Sequence, residues 1–287
     1  MNAAAFILVY GLSYGMVLFI ISVGLAVTLG LMRVVNMAHG AFAAAGGYCA
    51  VAMMTQWSVP FPLAVLAATL ATALISVPIE RFFYVPIYEA GELDQVLLTI
   101  GLIFVAIAGL NYAFGPNPMP TALPRWLEAN VDLGLLVVQN YRLMIIAVGA
   151  VLIAALWLVF DRTDFGARLR AAVERRGMAA AVGINVDRLF TIAFALGSGL
   201  AALGGALGYQ VLPLEPMYPF KHLALFLVVV SIAGLGNIRA TAAMALLVGV
   251  IDTALRYFVP AAGAFALFAI LIAIQFWRYR GAFRIWY

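Results

Sequence analysis

The sequence predicts an all-α fold, a polytopic bundle of transmembrane helices with eight or nine membrane segments. Three observations predict it. The chain is 66% hydrophobic and 10% charged, with a mean hydropathy of +1.09; soluble domains carry about 45–50% apolar and about 25% charged residues. The stretch from Ala3 to Met32 has no charged residue, and about 20 apolar residues cross a hydrocarbon core of about 30 Å. Unpaired backbone groups are not tolerated in lipid, so such runs form helices. The alternating short segments of a β-barrel are missing.

The elements follow in order along the 287 residues. Met1 and Asn2 offer no basic n-region, and the apolar run far exceeds a signal h-region of about 7–15 residues, so the first segment is expected to be a retained span. Spans are predicted at 5–31, 40–57, 61–79, 96–114, 143–160, 189–212, 221–236, 240–258 and 262–277. Segment 40–57 is rich in Ala and Gly and 221–236 is short. Either suits a half-helix that does not cross fully, because broken helices are tolerated where they line a cavity. Segment 115–142 carries Pro116, Pro118 and Pro120, then Arg125-Trp126-Leu127-Glu128; it cannot be one helix and is expected to be a structured external loop with Trp126 at the interface. No linker divides the chain, so residues 1–287 form a single domain. Cys49 is the only cysteine, which excludes a disulfide within the chain.

Basic residues set the orientation, because cytoplasmic loops collect Lys and Arg. Segment 161–188 holds Arg162, Arg168, Arg170, Arg175, Arg176 and Arg188. Placed inside, it brings Arg33, Arg81, Arg239, Arg278, Arg280 and Arg284 inside as well, twelve of the sixteen basic residues. Arg125, Arg142, Lys221 and Arg256 stay outside. The C-terminus is then cytoplasmic; nine crossings put the N-terminus outside, and eight put it inside. The net charge of +4 follows from this topology and does not indicate nucleic acid.

Several chemistries are excluded. Lys221, the only lysine, follows Phe220, so the chain has no G-x-x-x-x-G-K-[ST] phosphate loop. His39 and His222 lack metal-ligand spacing, no metal site is expected, and no G-x-S-x-G nucleophile turn occurs. Carriers driven by ion gradients need ionisable groups in their spans. Here Asp252 is the exception, and Arg256 lies four residues on, where an i,i+4 ion pair forms.

Two constellations remain. In the basic loop, Asp164 is expected to cap one short helix over 165–182, with Gly183 as its stop. Its alanines leave a low surface that a partner could approach; a basic loop that fixes topology and touches anionic lipid fits equally. At the end of the first span, Asn36 and His39 flank Gly40, as polar caps of a helix junction or as a broken-helix element lining a pathway. Gly204-Gly205 suits close helix packing.

Together these segments resemble the permease subunits of ATP-driven importers for branched-chain amino acids, the LivH-like family. The resemblance runs along nearly the whole chain. It is carried by Val35-Asn36-Met37-Ala38-His39-Gly40, Glu80-Arg81, Thr99-Ile100-Gly101-Leu102, the loop from Arg170 through Met178-Ala179 to Gly183-Ile184-Asn185, and Gly234-Leu235-Gly236-Asn237. Ala41 and Arg239-Ala240-Thr241 depart from the family pattern. The resemblance implies a bacterial inner-membrane subunit that pairs with a second, similar permease. It also implies two cytoplasmic P-loop ATPases that bind ATP and Mg, a periplasmic solute-binding protein that delivers the solute, and no cofactor in this chain. It implies a coupling loop that docks into an ATPase, with Arg168, Arg170, Glu174, Arg175, Arg176, Met178, Ala179, Gly183 and Ile184, and a translocation path beside Asn36, His39, Gly40, Thr99, Gly101, Gly234 and Gly236. Similar permeases for urea, short amides or aromatic acids stay open as alternatives, as does an ion-coupled carrier using Asp252.

Overall fold

The structure is a computed structural model that describes residues 2–32, 36–132, 134, 136–234 and 236–283. Arg33, Val34, Val35, Leu235 and Arg284, named above, lie outside the described residues. Thirteen helices and one small hairpin are described: α1 (Ala3–Met32), α2 (His39–Gln56), α3 (Phe61–Ile79), α4 (Glu92–Phe114), α5 (Arg125–Glu128), β1 (Asn130–Asp132), β2 (Val137–Gln139), α6 (Asn140–Arg162), α7 (Asp164–Glu174), α8 (Arg176–Ala181), α9 (Val186–Gly208), α10 (Tyr218–Lys221), α11 (Leu223–Ala233), α12 (Ile238–Phe258) and α13 (Gly263–Phe283).

The fold is an all-α polytopic bundle. Among the described residues six helical segments are long and apolar enough to cross a membrane: Ala3–Gly30, Phe61–Ile87, Glu92–Phe114, Asn140–Arg162, Val186–Gly208 and Ile238–Phe258. The segments expected at 40–57, 221–236 and 262–277 correspond to α2, to α10 with α11, and to α13. α11 has eleven residues, about 16 Å of helix, roughly half a hydrocarbon core.

The centre is α1. Residues 16–28 are buried all round the helix, which marks an interior helix rather than a lipid-facing one. It packs on α9 and α12, and α9 packs in turn on α2 and α3. Small residues make these approaches possible, because lipid supplies no hydrophobic drive between helices and close backbone packing must replace it. A Cβ on Gly205 would strike the Ala43 backbone, and one on Gly11 would lie 2.7 Å from the Val250 Cα. Apolar side chains such as Leu70, Leu74, Phe104, Val105, Val151 and Ile272 point outward.

The proline-rich segment forms the short helix α5 and the antiparallel β1–β2 hairpin, with Val131 opposite Val138. Trp126 is half exposed, and its ring meets Phe61 edge-on at 6.2 Å. The hairpin lies at the start of α6, and the α7–α8 loop at its other end. These two ends of the bundle locate everything below.

Candidate functional site

The junction between α1 and α2 is polar and closed. His39 is fully buried, and its Nε2–H donates to the Ile21 carbonyl at 2.9 Å. That contact starts α2 beside Ile21, about 16 Å back along α1 from Met32. Asn36 is buried, and its Oδ1 accepts from the Tyr84 hydroxyl at 2.8 Å. The Asn36 Nδ2 and the His39 Nδ1 have no hydrogen-bond partner among the described residues. Buried polar atoms are nearly always paired, so these two are the open hydrogen-bonding positions of the junction. Gly40 lies against Pro219 of α10, where a Cβ would come within 2.7 Å of the Pro219 carbonyl.

α4 closes the junction with one buried stripe, Gln95, Thr99, Ile103 and Ile107, spaced four apart as a helix face requires. Ile103 and Ile107 pack with Ala38, Met37 and Leu223, and Thr99 lies one turn earlier. Its hydroxyl donates to the Gln95 carbonyl at 2.8 Å. Gly101 sits on another face of α4, where a Cβ would meet nothing within 4 Å.

Tyr84 reaches Asn36 because α3 does not end cleanly. Pro78 inside α3 has no N–H to give, and the chain widens into a π turn over Glu80–Tyr84 and then a 3₁₀ turn over Val85–Ile87. Both ends of the π turn, Glu80 and Tyr84, point inward and are buried. Such widened turns recur at functional sites. Glu80 accepts from the Tyr88 hydroxyl and from Thr191 Oγ1 at 3.0 Å. Burial, then the Glu80 contact, push the Tyr88 phenol well above its ordinary range, so Tyr88 stays protonated and donates. Asp252 is therefore not the only carboxylate within a span: Glu80 lies in the helical stretch Phe61–Ile87. Sequence reasoning missed it because it stands at the edge of the apolar run beside Arg81.

At the far end of α6, the basic loop forms two helices, not the single helix expected over 165–182. The break is at Arg175, with φ −146 and ψ 84. The N-terminal flanking residue is Thr163, and Asp164 is the first helical residue. Thr163 makes no capping bond because its hydroxyl bonds back to the Val159 carbonyl. Gly183 stops α8 as expected: its φ of +88 is left-handed, and the N–H groups of Gly183 and Ile184 return to the carbonyls of Ala180 and Ala179 at 3.0 Å each, closing the orphan carbonyls of a helix end.

α7 is anchored and α8 is displayed. Gly166 lies where a Cβ would strike the Phe160 backbone, Leu169 and Ala172 are buried, and Arg170 donates to the Phe160 carbonyl. Arg168, Glu174, Arg175, Arg176 and Met178 are exposed, with Ala179 the buried residue of α8. Arg176 pairs with Asp187 at 2.9 Å and Glu89 at 3.8 Å, and lies 5.7 Å above the Phe190 ring. Phe190 in turn meets Tyr88 edge-on at 6.2 Å. A continuous set of contacts thus runs from α8 through Phe190 and Tyr88 to Glu80, one turn from Tyr84 and its bond to Asn36.

Residues 7–275 match the family described as "Branched-chain amino acid transport system / permease component". The chain belongs to that family. It is similar to the high-affinity branched-chain amino acid transport system permease protein BraD of Pseudomonas aeruginosa, 28% identical over 257 residues that cover 85% of this chain and 84% of the relative. It is also similar to the permease protein LivH of Salmonella typhimurium, 24% identical over 258 residues, 84% of this chain and 82% of the relative. A probable LivH of Methanocaldococcus jannaschii is 22% identical over 253 residues, covering 87% and 80%. No solved structure matches the chain.

The permease places its late glycine motif with the loop. Gly236, Asn237 and Arg239 line a cavity of about 470 Å³ together with Gly166 and Arg170. Gly234 and Gly236 have φ of +89 and +75, a backbone that side-chain-bearing residues rarely adopt. Asn237 Oδ1 caps α12 by accepting from Ala240 N at 3.0 Å, and Arg239 pairs with Asp161. Asn36, Gly40 and the helix bearing Thr99 thus meet at the junction, while Gly236 joins residues of α7 and Gly101 faces open space. No group of three or more His, Cys, Asp or Glu among the described residues is arranged to hold a metal.

Proposed function

We propose that this chain is one of two permease subunits in an ATP-driven, binding-protein-dependent importer of branched-chain amino acids in a bacterial inner membrane. The observation that carries the reading is the permease-family match over residues 7–275, and the substrate follows the names of the relatives. The second permease, two P-loop ATPases carrying ATP and Mg, and a periplasmic binding protein complete the machine. The chain itself holds no cofactor, catalyses no reaction and meets only lipid and these partners.

The α7–α8 loop docks into an ATPase. Anchored α7 and displayed α8 support this, as do Met178 and Val182, apolar side chains that are 57% and 74% exposed. ATP binding moves α8, and the contacts through Phe190, Tyr88 and Glu80 pass that motion to Tyr84 and Asn36. Asn36, His39, Gly40 and Thr99 border the path, with Gly101 facing the second subunit. Gly234 and Gly236 let the α11–α12 turn follow the loop. The bundle crosses eight or nine times, α11 serving as a half-helix, and the C-terminus is cytoplasmic.

A mild-detergent purification of the tagged chain from its native membranes tests this. Co-purification of P-loop ATPases and a second hydrophobic permease is expected. Recovery of the chain alone, after cross-linking in intact cells, would refute the importer reading.

A further inference from the structure

At the hairpin end of the bundle, opposite the coupling loop, lies a cavity of about 710 Å³ between the starts of α1 and α6, the ends of α9 and α12, and the first turn of α11. Its size falls within the roughly 300–1,000 Å³ of small-molecule sites. Three cations, Arg142, Lys221 and Arg256, and one carboxylate, Asp252, line it.

The carboxylate is half used. Asp252 Oδ2 accepts from Arg256 Nε at 2.7 Å, but the buried Oδ1 has no partner among the described residues, and the side chain is 4% exposed. A buried carboxylate oxygen left open calls for a donor. Tyr14 stands in the same lining, and an aromatic face also favours a cation. Arg142 lies over the Tyr10 ring at 4.0 Å, which holds its plane while other donors of the guanidinium fork stay able to grip a carboxylate. His222 and Leu225 bring the N-terminal turn of α11 to the cavity. A broken helix that starts inside a membrane protein presents partial positive charge to anionic solute groups. The apolar wall comes from Leu225 and Leu267, both buried.

A group that satisfies all of this carries an ammonium, a carboxylate and a short apolar arm. We propose that this cavity is a receiving site for a zwitterionic branched-chain α-amino acid, with its ammonium on Asp252 Oδ1, its carboxylate on Arg142 and its side chain against Leu225 and Leu267. The proposal rests on the permease reading above for its solute, and it assigns the residues that meet the solute before it enters the path.

Thiol protection in washed native membranes tests it. Thr253 lines the cavity and uses its hydroxyl only to bond back to the Gly249 carbonyl at 2.9 Å, so Thr253→Cys in a Cys49→Ala background places a mild reporter there. Tyr257→Cys, at the exposed rim, gives the same readout where the first variant inserts poorly. Leucine is expected to slow modification by a small water-soluble thiol reagent. 4-Methylpentanoate, which lacks the ammonium, and 3-methylbutylamine, which lacks the carboxylate, are expected to protect far less. Adding Asp252→Asn should leave the thiol reactive but raise the leucine needed for protection about ten- to a hundredfold, the loss of one charged hydrogen bond. Equal modification with and without leucine overturns the site. If the same membranes, resupplied with ATP and binding protein, still import leucine, only the site has failed and the permease reading stands. If leucine protects but these resupplied membranes do not import it, the site stands and the transport reading falls.

Discussion

Arg175 gives the sharpest separation of docking from folding. It is exposed, it makes no ion pair among the described residues, and it sits at the backbone break between α7 and α8. Its φ of −146 suits any L-residue. Replacing it with Glu removes no contact within the chain and adds a negative charge just ahead of the α8 N-terminus, which the helix tolerates. The stability change is therefore expected within about 0.5 kcal/mol, as for exposed positions away from special features. At a docked interface the same reversal meets like charge, which costs several kcal/mol; about 3 kcal/mol lowers partner affinity more than a hundredfold. The assay is the ratio of ATPase to permease after mild-detergent purification of the Arg175→Glu variant, with thermal unfolding measured on the same sample. Loss of ATPase with an unchanged unfolding temperature is expected. Full ATPase retention would refute docking through α8. Arg176→Glu is the control that costs folding as well, about 1–2 kcal/mol, because it breaks the exposed pairs with Asp187 and Glu89 and the contact with Phe190.

Other substitutions probe the remaining claims. Gly183→Val forces a β-branched residue to φ +88 and should cost about 1–3 kcal/mol, seen as a lower unfolding temperature and a weakened ATPase ratio; Gly183→Asn, which tolerates that backbone, should cost less. Gly205→Val should prevent stable insertion, because its Cβ would strike the Ala43 backbone, whereas Gly101→Ala meets nothing within 4 Å and should stabilise α4 by about 0.5–1 kcal/mol in the isolated chain. Tyr84→Phe removes the bond to Asn36 and leaves a buried acceptor unpaired, at about 1–3 kcal/mol, with a fall in uptake rate larger than the fall in permease abundance.

What could be read in the sequence was whatever the membrane imposes locally. The uncharged run from Ala3 to Met32 became α1, Asp252 and Arg256 paired at 2.7 Å as their spacing required, and Gly204-Gly205 packed a helix interface. The left-handed stop at Gly183 was legible because few other residues accept that backbone. Contacts that depend on how helices meet were not legible. Nothing in the order of residues places Gly236 beside Arg170, or Tyr84 against Asn36, forty-eight residues apart. The break at Arg175 was hidden because the buried positions Leu169, Ala172 and Ala179 continue a helical pattern across it. The contact of Glu80 with Thr191 and the cavity that sets Arg142 in one lining with Asp252 were missed for the same reason: they join helices distant in sequence.

The most direct measurement is leucine uptake into proteoliposomes holding the purified complex, with ATP and Mg on the ATPase side and the binding protein on the other. Uptake is expected only when ATP and binding protein are both present, and it should be lost in the Arg175→Glu variant. Uptake driven by a proton or sodium gradient without ATP, abolished by Asp252→Asn, would contradict it.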